Sequence, residues 1–147
     1  MASFLTKLFK ALVDKCRKIL QIFPIYDMKK IYYLGTCDTC KKIMSEMGES
    51  IKKFQLQDIK TQKITALQLD EMRDRSGSYE SLFSRRALKY KQVQKDIAEW
   101  TEEIYRDLIL QEYTFLKRPV VLAGKNIFIG SEKKVVERML EYVRTHK

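Results

Sequence analysis

Proline, glycine, cysteine and histidine are all scarce in this chain, and each shortage excludes a class of protein. The 147 residues include two Pro, five Gly, three Cys and one His. So little proline and glycine excludes collagen-like and low-complexity chains, and three cysteines are too few for a disulfide framework. No apolar run approaches the roughly 20 residues that a bilayer-spanning helix needs. The remaining composition, with 45% apolar and 33% charged residues, suits a folded domain.

The net charge of +10 is spread along the whole chain rather than gathered in one segment. No RNA-binding or helix-turn-helix signature accompanies the lysines and tyrosines, so we expect no direct contact with nucleic acid. A diffuse positive charge favours a thiolate or an acidic protein partner instead.

Residues 1–27 differ from the rest because their apolar residues follow one helical stripe. Steps of three and four join Phe4, Leu5, Leu8, Phe9, Leu12, Val13, Cys16, Ile19, Leu20 and Phe23. Pro24 is expected to end this helix. Lysines interrupt every apolar stretch and no small-residue cleavage site follows, which argues against a signal peptide. We therefore expect an amphipathic helical leader before a domain over 28–147, in a cytoplasmic protein.

Three interpretations of this leader stay open from the sequence. Its apolar stripe can dock on the domain or on a second copy of the chain, although we expect a monomer. It can also lie on an anionic membrane or in a partner's groove, and we expect membrane contact only through residues 1–27. Alternatively, translation starts at Met28, which opens a complete-looking domain, and the leader comes from an upstream start codon.

The rest of the chain alternates between strand and helix patterns in the order βαβ, a helical insert at about 60–116, and ββα. Short aromatic and β-branched runs predict strands at 31–34, 54–57, 120–122 and 127–129, the last two forming a hairpin around Gly124. Helical spacing predicts helices at 38–47, 65–75, 79–83 and 101–111, and a last helix capped by Ser131. This order indicates an α/β fold.

Two segments carry expectations about burial. The run Phe54-Gln55-Leu56-Gln57 alternates apolar and polar residues, as a half-buried strand does. In the helix at 65–75, Thr65 is expected to cap the first turn. The apolar repeat along that helix consists of Leu67, Leu69 and Met72.

The spacing Cys37-Asp38-Thr39-Cys40 is the most informative feature of the chain. Cys37 falls at the start of a predicted helix, where free N–H groups and the helix dipole lower the pKa of a thiol. Cys40 lies one turn later and can resolve a mixed disulfide formed by Cys37. Hydroxyl donors and positive charges flank the pair, from Thr36, Thr39, Lys41 and Lys42. Near a βαβ pattern, this spacing predicts a redox site.

Two other interpretations of the cysteine pair stay open. The pair can be half of a zinc site, but the only remaining candidate ligands, Cys16 and His146, lie near opposite ends of the chain. The two cysteines can also be inert core residues, although a helix-start position argues against burial. We expect no metal site and no bound cofactor.

With these motifs in order, residues 28–147 resemble the thioredoxin-like arsenate reductase and Spx family. The matching segments are Cys37-Asp38-Thr39-Cys40-Lys41-Lys42, Leu82-Phe83-Ser84-Arg85-Arg86, Phe115-Leu116-Lys117-Arg118-Pro119-Val120 and Phe128-Ile129-Gly130. The resemblance implies a thioredoxin-like mixed sheet with an inserted helical subdomain. It implies that Cys37 is the redox nucleophile, that Arg118 lies close to it, and that Pro119 follows a cis peptide bond. Arg118 would supply a permanent positive charge for an oxyanion or a thiolate.

The chain departs from the glutaredoxin-linked arsenate reductases at two of their three oxyanion-binding arginines. Ser84 and Gly130 stand at those positions, and only Arg118 is retained. Each lost charge-assisted contact would cost on the order of 1.5–3 kcal/mol, so we expect weak or absent arsenate reduction. Arg85 or Arg86 would have to reach in to rebuild the cradle. The candidate substrate-binding residues are Thr36, Thr39, Arg86 and Pro119.

Two functional hypotheses follow from the resemblance. In the first, the protein is a thiol–disulfide enzyme: Cys37 attacks the substrate, Cys40 resolves the intermediate, and glutathione, a glutaredoxin or a thioredoxin acts as reductant. In the second, it is an Spx-like regulator in which the same disulfide alters the surface of the insert, and RNA polymerase is the partner. Substrate turnover supports the enzyme, whereas oxidation-dependent polymerase binding without turnover supports the regulator.

Overall fold

A four-stranded mixed sheet forms the centre of the protein, in a computed structural model that describes residues 2–22 and 28–146. The strands are β1 (Lys29–Tyr33), β2 (Gln55–Asp58), β3 (Val120–Ala123) and β4 (Asn126–Ile129). The helices are α1 (Ala2–Ile22), α2 (Asp38–Glu46), α3 (Ala66–Ser76), α4 (Tyr79–Leu82), α5 (Tyr90–Asp96), α6 (Glu102–Gln111) and α7 (Lys133–Thr145). Short 3₁₀ turns at Gly48–Lys53 and Tyr113–Phe115 precede β2 and β3.

The strand order is β2-β1-β3-β4, with β1 parallel to β2 and antiparallel to β3. β3 and β4 form the predicted antiparallel hairpin. In the central register, Ile31 of β1 lies opposite Leu56 of β2 and Val121 of β3. The α/β class and the mixed thioredoxin-like sheet expected from the sequence are confirmed.

Helices cover both faces of the sheet, and each face has its own core. Ile31 and Val121 point to the face that α2 and α7 cover, where Met139 is among the buried residues. Tyr32 and Val120 point to the opposite face, which packs against α3, α4 and α6. Because successive residues of a strand face opposite sides, a fully buried strand such as β3 contributes to both cores. This arrangement fixes the ends of β1 and β3, from which the site below is built.

The structure corrects the expected burial of the second strand. Leu56 is 44% exposed, whereas Gln57 is 2% exposed. β2 is an edge strand, so Leu56, on the face of Ile31, is only partly covered, and Gln57 lies on the face of Tyr32. The Gln57 amide is accommodated because it donates to the Gln62 carbonyl at 3.1 Å and pairs with Gln68.

Two helix details also differ from expectation. Leu67 is 81% exposed, because the buried face of α3 contains Leu69 and Met72, and a residue two positions before Leu69 points away from it. Ser131 does not cap α7, since Glu132 occupies the N-cap position without a side-chain hydrogen bond. No helix was predicted at α5, because its residues are mostly polar and show no apolar repeat.

Thr65 behaves as predicted and caps α3. Its hydroxyl accepts the Gln68 N–H at 3.2 Å, and the Gln68 side chain accepts the Thr65 N–H at 3.1 Å. This reciprocal pair satisfies two backbone donors that the helix cannot satisfy itself. The same Gln68 side chain pairs with Gln57, so the cap of α3 is tied to β2.

The leader forms the expected amphipathic helix, α1, although Pro24 lies outside the described residues. Every side chain at positions 5–15 is exposed, so this part of the helix does not dock on the domain as one interpretation required. Over residues 2–22 and 28–146, no helix is both long and apolar enough to cross a bilayer.

Candidate redox site

Cys37 occupies the N-cap position of α2, immediately after the turn that leaves β1. Its backbone is extended, its N–H donates to the Leu34 carbonyl at 3.0 Å, and its carbonyl accepts the Lys41 N–H at 3.1 Å. Gly35 allows this turn to pass close to the end of β2, since a Cβ there would lie 2.5 Å from an oxygen of Asp58. The turn therefore holds the Cys37 thiol at the free N–H groups of a helix, where an anion is stabilised.

The pKa of Cys37 is lowered by the groups around its sulfur. Partial burial acts in the opposite direction and raises the pKa, but it is outweighed by hydrogen bonds from the N–H and thiol of Cys40 and the N–H of Thr39. The positive charge of Arg118 lowers the pKa further. A larger fraction of Cys37 is therefore thiolate, the nucleophilic form.

Cys40 has the opposite character. It is fully buried within α2, and burial raises the pKa of its thiol to about 11. The hydrogen bond to Cys37 and the negative charge there raise it too, while the Leu34 backbone and Arg118 oppose the increase. Cys37 and Cys40 are both free thiols in this structure. Cys40 thus remains protonated and donates to the Cys37 sulfur.

Arg118 reaches the cysteines from the start of β3. The segment before it is held against the insert, because the Lys117 N–H donates to the Leu82 carbonyl at 2.8 Å and Phe83 pairs with Leu116. The Arg118–Pro119 bond is cis, as the resemblance implied. One guanidinium nitrogen of Arg118, Nη1, is buried and makes no hydrogen bond with the described part of the chain. A buried donor without a partner is costly, which makes the guanidinium of this half-buried arginine suited to pairing with an anionic or polar group.

Cys37 and Arg118 both line an open cavity of about 430 Å³. Its walls come from the start of α2, residues 81 and 83–86 of the insert, residues 116–118 before β3, and residues 129–132 after β4. The cations at its wall are Arg85, Arg86, Lys117 and Arg118, against one carboxylate, Glu132. The resulting positive potential favours thiolates and anionic substrates.

The structure brings most of the proposed site residues together. Cys37, Thr39, Arg86 and Arg118 all line the cavity. Two proposed substrate-binding residues do not: Thr36 is exposed outside the cavity wall, and Pro119 is buried beside it. The Pro119 carbonyl accepts the Gly130 N–H at 2.9 Å. This hydrogen bond keeps the end of β4, which lines the cavity, next to the start of β3.

The positions that lack the family's arginines also face this cavity. Ser84 and Gly130 both line it. The neighbouring Arg85 is engaged elsewhere, since its guanidinium donates to Glu80 at 2.7 Å and to the Tyr105 hydroxyl at 2.8 Å. Gly130 has a φ of +85°, a conformation that a side-chain-bearing residue rarely adopts. Arg86 is therefore the better candidate for a second cation, since it is exposed on the cavity wall.

Sequence reasoning missed four polar residues of the cavity wall, Ser81, Lys117, Ser131 and Glu132. Lys117 could have been found from its position beside Arg118; its amine donates to the Ser81 carbonyl at 2.9 Å. Glu132 follows the last strand, and nothing in its local pattern indicated a site. The zinc interpretation gains no second pair of ligands, because the described residues contain no group of three His, Cys, Asp or Glu that could hold a metal ion. The Cys16 side chain lies outside the described residues.

Comparison with solved structures shows the same fold in several proteins. The YffB protein matches with a TM-score of 0.66 and 21% identity, over 77% of this chain and 99% of its own. An arsenate reductase from Vibrio cholerae matches with a TM-score of 0.63 and 12% identity, over 78% and 98%. An arsenate reductase-related protein from Brucella melitensis matches with a TM-score of 0.58 and 22% identity, over 79% and 97%.

No curated protein gives a significant sequence match. The sequence model of the ArsC family, in contrast, matches residues 14–139, which is most of the chain. That range includes Cys37, Cys40, Arg118 and the whole cavity wall. The chain therefore belongs to the ArsC family.

Proposed function

We propose that this protein is a thiol–disulfide oxidoreductase in which Cys37 is the nucleophile and Cys40 the resolving thiol. The observation that carries the proposal is the lowered pKa of the Cys37 thiol at the wall of a cavity that Arg118 also lines. A low-pKa thiol that reaches solvent beside a second cysteine is the arrangement that disulfide exchange needs.

In the first step, the Cys37 thiolate attacks one sulfur of a substrate disulfide. A bond forms between Cys37 and that sulfur, the substrate S–S bond breaks, and the other sulfur leaves with the electron pair and is protonated by solvent. Arg118 stabilises negative charge on the departing sulfur. Once Cys37 has formed this bond, it no longer carries a negative charge. That charge is one of the causes that raise the pKa of Cys40, so Cys40 becomes easier to deprotonate.

In the second step, Cys40 loses its proton and attacks the Cys37 sulfur. The Cys37–Cys40 disulfide forms and the remaining substrate thiolate leaves, so two electrons have passed from the protein dithiol to the substrate disulfide. An external dithiol or two molecules of glutathione then reduce the protein disulfide. We expect a glutaredoxin or thioredoxin to serve this role as well, with no cofactor bound to the protein.

Arsenate is a less suitable substrate than a disulfide for this cavity. With Ser84 and Gly130 in place of two arginines, only Arg118 and the exposed Arg86 are positioned to contact an oxyanion. Arg85 would first have to leave Glu80 and Tyr105. We therefore expect arsenate to be reduced slowly, if at all.

Trapping the mixed disulfide tests the proposal. The variant Cys16→Ser/Cys40→Ser retains Cys37 as its single thiol and, after incubation with oxidised glutathione, is expected to accumulate a glutathione adduct at Cys37, detected by intact mass and peptide mass spectrometry. The matched variant Cys16→Ser/Cys37→Ser retains only Cys40 and is expected to react much more slowly, because Cys40 is fully buried and burial raises the pKa of its thiol. Equal labelling of the two variants would contradict the proposed roles.

The regulator remains the second candidate, and one observation favours it. Cys37 shares its cavity wall with residues 81 and 83–86 at the edge of the insert, so a Cys37–Cys40 disulfide would form next to this surface. Purified RNA polymerase that binds only the oxidised protein, together with no turnover of disulfides or arsenate, would replace the enzyme with this regulator.

A further inference from the structure

The apolar side of α1 is exposed and contiguous. The described side chains on it are Leu5, Leu8, Phe9, Leu12 and Val13, and they occupy about 140° of the helix circumference at 100° per residue. Leu5 is 69% exposed and Phe9 71% exposed, whereas α6 and α7 bury apolar residues such as Ile109 and Met139 in the two cores. A patch of this kind marks a surface that another apolar body covers.

The described side chains of α1 take no part in the packing of the domain. Neither core contains a residue from positions 5–15. The ArsC family model begins at residue 14, so the first half of α1 lies outside the family match. The exposed face is thus an addition to the family fold and requires an explanation of its own.

The charged residues on the other side of α1 indicate what kind of surface covers its apolar side. Lys7 and Lys10 lie on the side opposite Leu12, and Lys15 lies at the edge of the apolar side. From residue 2 to residue 22 the sequence has five Lys or Arg and a single acidic residue, Asp14. A helix with one bulky apolar face, a basic polar face and little overall hydrophobicity is typical of helices that lie in the plane of an anionic bilayer surface.

We propose that α1 binds this protein to the surface of anionic lipid bilayers. Leu5, Phe9 and Leu12 enter the boundary between headgroups and acyl chains, and the lysines contact the lipid phosphates. The charge of the whole chain, +10, acts in the same direction because it attracts the protein to a negative surface. A second copy of the chain is a less suitable occupant, since packing two such helices together would bring two strongly basic proteins into contact.

Flotation of the full-length protein with vesicles tests this proposal. We expect binding to vesicles of phosphatidylcholine mixed with phosphatidylglycerol, little binding to phosphatidylcholine alone, and loss of binding at high salt. Leu12→Glu and Lys10→Gln form a matched pair, because each lowers the net charge by one unit. Lys10→Gln should weaken binding about fivefold, whereas Leu12→Glu should weaken it by about tenfold or more, because it also removes an inserted side chain.

Three results would overturn the proposal. The first is a wild-type protein that does not float with the anionic vesicles. The second is an equal effect of the two substitutions, which would reduce the interaction to nonspecific charge. The third is a protein that does not float but forms a dimer without lipid, seen by sedimentation. If Leu12→Glu dissociates this dimer, a second copy of the chain covers the apolar side of α1. Alkylation of Cys37 at an unchanged rate in both variants controls for the fold and separates this test from that of the proposed redox function.

Discussion

The reactivity of the site depends on two neighbouring thiols whose pKa values move apart. Burial raises the pKa of Cys40 to about 11. At Cys37, burial also acts upward, but hydrogen bonds from Cys40 and Thr39 and the charge of Arg118 bring the pKa below its ordinary value. This difference supports the order of the proposed mechanism, in which Cys37 attacks first and Cys40 follows.

The pH dependence of alkylation tests this assignment. Because only the thiolate reacts, the iodoacetamide labelling rate of Cys37 should rise with pH through a midpoint below that of a free cysteine. Arg118→Ala removes a positive charge that favours the thiolate, so its midpoint should move to higher pH. Arg86→Ala is the control, since Arg86 lines the same cavity but is not among the groups that shift the pKa of Cys37. Labelling is measured for Cys37 by peptide mass spectrometry, and an unchanged midpoint in Arg118→Ala would contradict the role of Arg118.

At the scale of single residues, the sequence predicted positions that depend on neighbouring residues better than positions that depend on tertiary contacts. The position of Cys37 at a helix start follows from four adjacent residues, and Arg118 followed from the family resemblance. Glu132 could not be predicted, because it reaches the cavity only through the turn that Gly130 makes after β4. The burial of Cys40 also depends on tertiary packing, which a short motif does not encode.

At the scale of elements, β2 shows how an edge strand can reverse a simple alternation. Gln57 is buried because three partners meet its amide: the carbonyls of Gln62 and Lys63, at 3.1 and 3.4 Å, and the side chain of Gln68. Leu56 remains partly exposed because no strand follows β2 at the sheet edge. A pattern of period two predicts that a strand exists and that its faces differ, but it does not predict which face is better covered.

Replacing Gln57 with leucine should destabilise the domain by about 1–3 kcal/mol, because its partly buried hydrogen bonds to the carbonyls of Gln62 and Lys63 and to the Gln68 side chain would be lost. Gln55→Leu is the matched control: it is the same substitution on the same strand, but at an exposed position, and its effect should stay within about 0.5 kcal/mol. Urea unfolding monitored by circular dichroism measures both. Equal stabilities of the two variants would mean that the Gln57 contacts contribute nothing.

Helix starts illustrate the same limit of sequence reasoning. Thr65 caps α3 as its local pattern predicts, whereas Ser131 does not cap α7. Glu102 lies in the first turn of α6, where an acidic residue is expected, yet its carboxylate accepts the backbone N–H groups of Tyr79 and Glu80 at the start of α4. A local motif predicts that a side chain can cap; the neighbouring elements decide which helix it caps.

At the scale of the whole molecule, the sheet and its two cores lie within residues 28–146, and α1 contributes no described side chain to either. The order of strands and helices in that region, apart from α5, was predictable because those elements have an apolar period. The role of α1 was not, because an apolar stripe has the same pattern whether it packs on a domain, on a second copy or on a lipid surface. Exposure of positions 5–15 separates packing on the domain from the other two interpretations.

Deleting residues 1–27 should therefore leave the stability of the domain almost unchanged. Since a loss of about 1 kcal/mol lowers the Tm of a domain this size by about 2–8 °C, we expect the Tm to fall by less than about 2 °C in differential scanning calorimetry. The shortened protein should alkylate Cys37 at the rate of the full chain and fail to float with anionic vesicles. A Tm lower by more than about 4 °C would show that the leader packs on the domain after all. Such a result would restore the docking interpretation and remove the exposed face on which membrane binding depends.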